Sequence, residues 1–160
     1  MKISPLQLTE YFVTEFHFTL NSTFKPDQPL ELKLDELIVC NECKCAEGDP
    51  RRWLVTMELK YQPASDTNTP YIFSLDLIGM FEVSPKFEEA RIERTVCTNG
   101  PSVLFGIARE IIREQTARGP EGPFVLPSAS FLPDDPAPTP TIAATAEEVA
   151  PTHTPEAAPQ

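Results

Sequence analysis

The chain has 160 residues, with 24 acidic side chains against 13 basic ones and a formal net charge of −11. That surplus disfavours nucleic acid and anionic lipid as partners, because neither gains counterion release from an acidic surface. Nowhere do about 18 apolar residues run together, so no membrane insertion is expected.

The N-terminus, MKISPLQLTEYF, has one Lys, a Pro at position 5 and no apolar stretch of the kind a signal peptide needs. A cytoplasmic location is therefore expected, and with it free thiols at all 4 cysteines.

From residue 6 to residue 83 the apolar pattern has a period of two, the signature of half-buried strands. In a first strand Leu6, Leu8, Phe12, Phe16, Phe18 and Leu20 share one parity, against Gln7, Thr9, Glu15, His17 and Thr19, and Glu10 interrupts the apolar face. A second strand is predicted to begin at Leu30-Glu31-Leu32-Lys33-Leu34, break at Asp35-Glu36 and resume through Leu37 and Val39. The cluster Cys40-Asn41-Glu42-Cys43-Lys44-Cys45 follows at the strand end. A closed zinc site wants four N or S ligands, usually as two separated pairs. Here a CxxC overlaps a CxC, Cys43 and Cys45 share a strand face that Cys40 does not, and the only distant thiol is Cys97, so ordinary thiols are expected.

A third strand alternates Trp53, Val55, Met57, Leu59 and Tyr61 with Arg52, Thr56, Glu58 and Lys60. A fourth sets Tyr71, Phe73, Leu75, Leu77, Phe81 and Val83 against Ser74, Asp76 and Glu82. The links between strands (Asn21 to Pro29, Glu47 to Pro50, Pro63 to Pro70) are too short for parallel crossovers, so the sheet is predicted antiparallel. One face should pack on a helix, and the other should be solvated or covered by a sister subunit.

Residues 85 to 97 are ambiguous by period and are assigned to a short helix or an irregular link. Leu104, Ile107, Ala108, Ile111 and Ile112 then mark one face of a helix from Ser102 to Arg118, with Glu114 and Arg118 spaced for support on its other side. Asn99-Gly100-Pro101-Ser102 is taken as its start, with Ser102 as cap, and Gly119 as its positive-φ stop. Beyond lies an apolar tongue, Phe124, Val125, Leu126 and Phe131, which Pro120, Pro123 and Pro127 hold extended. Residues 133 to 160 have seven prolines, five acidic residues, no basic residue and no aromatic, and are predicted to be a disordered tail after a folded domain of residues 1 to 132.

No enzyme is expected. His17 and His153 are the only histidines, and neither a phosphate loop nor a nucleophile or metalloprotease motif appears. Glu10, Glu15 and Asp76 could act as paired carboxylates only if the fold assembled them in a cleft.

The order of parts in the C-terminal half resembles the SecB family of protein-export chaperones. That family carries a Cys, a Leu-Phe-x-x-Ala-Arg-Glu helix, then Arg-Gly and a Phe/Leu/Pro segment ending in Phe; here these are Cys97, Leu104 to Glu110, Arg118-Gly119 and Pro123 through Phe131. Upstream, Gly79-Met80-Phe81 matches the Gly-x-Phe that closes the family's last strand. The resemblance spans most of residues 5 to 131, with extra residues after Cys97 and after Gly119, and with Gly106-Ile107 where the family usually has Pro-Tyr.

The resemblance implies an α+β fold, a four-stranded antiparallel sheet packed by one long helix, assembled as a homotetramer (a dimer of dimers). It implies an ATP-independent chaperone without cofactor, which holds unfolded precursor proteins in apolar grooves and delivers them to the SecA motor. By position, the groove candidates are Phe24, Pro26 and Leu30 together with Phe124, Val125, Leu126 and Phe131, for which core packing is the competing reading. The motor contact falls on Glu15 with Asp76, although two further acidic positions of the family are Thr19 and Ser74 here. Leu104, Ile107 and Ile111 are the expected subunit interface. Two alternatives accompany this reading: a general or toxin–antitoxin-associated holdase, and a small metal- or ligand-binding domain built on Cys40 to Cys45. The family's second helix has no counterpart after Phe131, where Leu132-Pro133-Asp134-Asp135-Pro136 follows, so a lid over the groove is expected to be missing.

Overall fold

The computed structural model describes residues 3 to 132, so the proposed tail lies outside the described residues. Four strands, β1 (Leu6–Leu20), β2 (Leu37–Ala46), β3 (Asp49–Tyr61) and β4 (Tyr71–Val83), precede one long helix, α1 (Ile92–Thr116). They form a single antiparallel sheet in the order β1-β4-β3-β2, which puts β1 and β2 at the edges. The fold is the predicted α+β arrangement of an antiparallel sheet covered on one face by a helix.

The two central strands follow their alternation without a break. Val55, Met57, Leu59 and Tyr61 of β3 and Tyr71, Phe73, Leu75, Leu77, Phe81 and Val83 of β4 are all buried on the helix side. Each contributes roughly 1.5–3 kcal/mol of transfer free energy. Gly79 interrupts this apolar series because the helix approaches there: a Cβ at that position would lie 2.7 Å from Leu104 Cδ2 and 2.9 Å from Phe81 Cε2.

Edge strand β1 departs from simple alternation. Its register against β4 shifts between Leu8 and Glu10 and again between Val13 and Glu15, so Thr9 and Thr14 are extra residues, each a β-bulge. Leu6 and Leu8 face the helix, Tyr11 and Val13 take over that face after the first bulge, and Phe16, Phe18 and Leu20 resume it after the second. Phe12, expected on the apolar face, therefore pairs with Ile78 on the outer face and is 51% exposed. Glu10, which interrupts the even-numbered pattern, is paired with Met80 on that same outer face. The bulged threonines recover lost hydrogen bonds through their side chains, Thr9 Oγ1 donating to Met80 O (3.0 Å) and Thr14 Oγ1 to Asp76 O (3.3 Å).

Two further expectations are corrected. Residues 30 to 33 are not strand: Glu31 N–H pairs with Asn68 O in a loop, and a 3-10 turn, Leu34–Glu36, precedes β2. The strand then runs through the cysteine cluster to Ala46 and returns over Glu47-Gly48, where Gly48 supplies the positive φ (77°) of a two-residue hairpin.

The helix starts ten residues earlier than predicted. A line of residues at i, i+4 spacing, Ile92, Val96, Gly100, Leu104, Ala108, Ile112 and Thr116, is buried along its whole length. That continuous contact outweighs the lost backbone hydrogen bond at buried Pro101. Ser102 is thus a mid-helix residue whose Oγ donates to Thr98 O (3.0 Å), not a cap. The ion pair on the exposed face joins Glu110 to Arg113 rather than Glu114 to Arg118. Gly119 follows the helix without positive φ, which belongs to Gly122 (75°); a Cβ on Gly119 would meet Tyr71 Oη at 2.6 Å.

Candidate functional site

After α1 the chain doubles back along the helix. Phe124 sits among the rings of Tyr61, Phe73 and Tyr71 at centroid distances of 5.8, 6.0 and 6.2 Å. Its N–H donates to Thr116 Oγ1 (2.7 Å), and Arg109 Nε donates to Leu126 O (2.8 Å). Phe124 and Leu126 are buried, so these two expected groove residues are core. An extended segment alternates its sides, and Val125 between them points outward at 56% exposure. Phe131 packs edge-on against Phe105 at 5.7 Å and is half-buried, away from the Tyr71 end of the sheet.

The link between β1 and β2 is anchored at that same Tyr71 end. Asn21 N–H donates to Pro70 O (2.8 Å), while Asn68, which sequence reasoning did not single out, organises the loop beyond. Asn68 Oδ1 accepts the N–H of Lys25 (2.9 Å), and its Nδ2 lies 3.1, 3.2 and 3.0 Å from the carbonyls of Lys25, Gln28 and Pro29. The only sequence signal was an Asn in a turn-rich stretch. Phe24 is half-buried in this loop, and Pro26 and Leu30 are exposed. Tyr71 Oη lies 2.9 Å from Gly122 O, tying the tongue to the same strand end; burial raises this phenol's pKa. Exposed Leu20, Leu30 and Val125 are thus carried by segments that gather at one end of the sheet.

A second apolar surface flanks α1. Tyr11 and Val13, on the helix side of β1, are 47% and 45% exposed. Ile107 and Ile111 are half-buried on the helix flank opposite Phe105 and Arg109. Leu104 is fully buried within the chain beside Gly79, so it is not available to the expected subunit interface.

The outer face carries charge. Glu15 of β1 and Glu58 of β3 both pair in register with Asp76 of β4, which sets three carboxylates in a row across three strands. His17 Nε2 lies 2.8 Å from Glu15, and Lys60 Nζ 2.6 Å from Glu58. Asp76, between them, has its pKa raised first by burial and then by the charges of Glu58 and Glu15. Thr14, Glu42, Thr56, Glu58, Asp76 and Ile78 line a shallow cleft of about 380 Å³ beside the row. Glu58 was missed by the sequence reading, although its strand parity places it on this face. Thr19 and Ser74 are also outer-face positions.

The cysteines split between faces. Cys40 and Cys45 are exposed, Cys43 is half-buried opposite Val55 on the helix side, and Cys97 is half-buried on α1. Among the described residues no three His, Cys, Asp or Glu side chains form a group that could hold a metal ion. No helix of the described residues is long and apolar enough to cross a membrane.

No protein-family model matches the chain, and no curated protein does. Among solved structures, a protein of unknown function from Streptococcus agalactiae is similar at a TM-score of 0.46 and 15% identity, covering 76% of this chain and 96% of that one. The SecB-like chaperone Rv1957 of Mycobacterium tuberculosis, in complex with a ChAD peptide from the HigA1 antitoxin Rv1956, is similar at a TM-score of 0.50 and 16% identity, over 79% of this chain and 91% of that chain. The four-stranded antiparallel sheet with its one long helix is a SecB-like fold.

Proposed function

We propose that this chain is an ATP-independent holdase that binds unfolded or pre-folded polypeptides, precursors destined for the SecA motor among them, and keeps them from aggregating. The observation that carries the reading is a SecB-like fold that leaves Leu20, Leu30 and Val125 exposed at one end of its sheet. Phe24, half-buried in the loop that carries Leu30, completes the proposed client surface, and Phe131 lies apart from it against Phe105. A client segment covering roughly 400 Å² of apolar surface gains about 10 kcal/mol before ordering costs, largely without regard to its sequence. In the proposed homotetramer, a dimer of dimers, Tyr11, Val13, Ile107 and Ile111 are covered by a sister subunit. The test is suppression of aggregation of a slowly folding precursor, with oligomer mass measured on the same sample. A monomer without effect at an equimolar dose would end this reading.

A second reading is a holdase not dedicated to export, such as the chaperone partner of a toxin–antitoxin pair. It is favoured by Thr19 and Ser74, which thin the acidic patch proposed for the motor to Glu15 and Asp76, and by the antitoxin peptide on the similar Rv1957. Titration with SecA separates the two: saturable binding that Glu15→Gln/Asp76→Asn abolishes supports export, and no heat of binding supports the second.

A further inference from the structure

Cys43 of β2 and Cys97 of α1 come from different elements and both lie beside Val55 under the first half of α1. Cys43 is the direct cross-strand partner of Val55 on the helix-facing side of the sheet, which places the two Cβ atoms about 5 Å apart. The Cγ2 of the same Val55 lies 3.0 Å from where a Cβ on Gly100 would sit. Cys97 is one turn before Gly100 on that helix, so Val55 is bracketed by both cysteines. Burial first, and then the neighbouring Cys97, push the Cys43 thiol up to about 12. Nothing in the proposed chaperone role uses this pair.

We infer that Cys43 and Cys97 form an oxidisable dithiol, which a low-molecular-weight disulfide converts into an intramolecular Cys43–Cys97 bond that clasps the first half of α1 to edge strand β2. The Cys97 thiolate attacks one sulfur of the reagent RSSR, the S–S bond breaks, and RS⁻ leaves and is protonated to RSH. Cys43 then gives up its proton and attacks the Cys97 sulfur of the mixed disulfide, releasing the second RSH. Two protein thiols are oxidised and one RSSR is reduced to two RSH. Cys43, held protonated by burial and by its neighbour, is the resolving partner, and the influence of the Cys97 charge ends once Cys97 is in the mixed disulfide.

The test uses the full chain and oxidised glutathione, with free thiols alkylated before digestion and peptides mapped without reduction. The expected product is the peptide pair containing Cys43 and Cys97, lighter by two hydrogens than the reduced peptides and restored by dithiothreitol. A Cys40→Ser/Cys45→Ser variant, which removes only exposed thiols, should give the same product in the same yield. Oxidation should raise Tm by roughly 5 °C or more, because the bond closes a long loop in the unfolded chain. The inference is overturned if the folded double variant forms no bond, if the wild type links mainly through Cys40 or Cys45, or if Tm is unchanged or lowered by oxidation.

Discussion

Thr116 Oγ1 accepts the N–H of Phe124 at 2.7 Å and in turn donates to Ile112 O at 2.7 Å, with Thr116 fully buried. One hydroxyl thereby joins the last turn of the helix to the segment that returns over the sheet.

Thr116→Val keeps the shape of that side chain and removes the acceptor, stranding the buried Phe124 N–H. The expected cost is about 1–3 kcal/mol, read as a Tm lower by several degrees. Proteolysis should meanwhile become faster between Gly119 and Phe131, and a variant with wild-type Tm would show that the segment is held by its rings alone.

Asn68→Ala removes the side chain that meets the backbone of Lys25, Gln28 and Pro29. Amide exchange over residues 22 to 31 is expected to speed up at least about tenfold, the equivalent of roughly 1.4 kcal/mol of local stability. Exchange in the central strands should change much less. Uniform loss of protection would instead place Asn68 in the global fold rather than in the loop.

Asp76→Asn bears on pH. The folded-state pKa of Asp76 is raised by burial and by Glu58 and Glu15. An acid raised in the folded state favours folding below its unfolded value, and that favour is lost as pH rises through the folded value. At pH 7 the ionised side chain is therefore a burden, and Asp76→Asn should raise Tm. The advantage should shrink as pH falls toward about 4, the unfolded aspartate range. A Tm difference that is flat from pH 7 to pH 4 would contradict the row of carboxylates as its origin.

Leu30→Ser/Val125→Ser removes two exposed apolar side chains from the proposed client surface. Surface substitutions of this kind shift stability by no more than about 0.5 kcal/mol each, so Tm should stay close to wild type. Suppression of precursor aggregation should fall several-fold. Full suppression by the double variant would move the client surface elsewhere.

Strands β3 and β4 were legible because their alternation is unbroken from Trp53 to Tyr61 and from Tyr71 to Val83 and both are central, so in those stretches every odd-numbered position but Gly79 meets the core with a side chain. In β1 Glu10 was the one visible irregularity, and the two bulges stayed hidden because each adds one residue and after the pair the parity is what it was before. The helix start was misplaced because Gly100-Pro101-Ser102 imitates a beginning, while the stronger signal was the spacing of Ile92, Val96 and Gly100, with a glycine where a packing residue is usual. Prolines around Phe124 to Leu126 fixed an extended backbone without fixing which side faces the sheet. For the same reason Phe124 and Leu126 could not be told apart from Val125 by composition. Glu15 and Asp76 were found by resemblance, and only the register showed that Glu58 completes their row.

Thr9 and Thr14 stand to each other as a frameshift stands to its suppressor. Straightening either bulge alone would invert every residue on one side of it, so Leu8 and Phe16 could not both stay on the helix face. Loss of both would restore the ends while leaving the middle of the strand inverted. Only the two bulges together put Glu10 and Phe12 on the outer face while the apolar residues at both ends of the strand stay on the helix side.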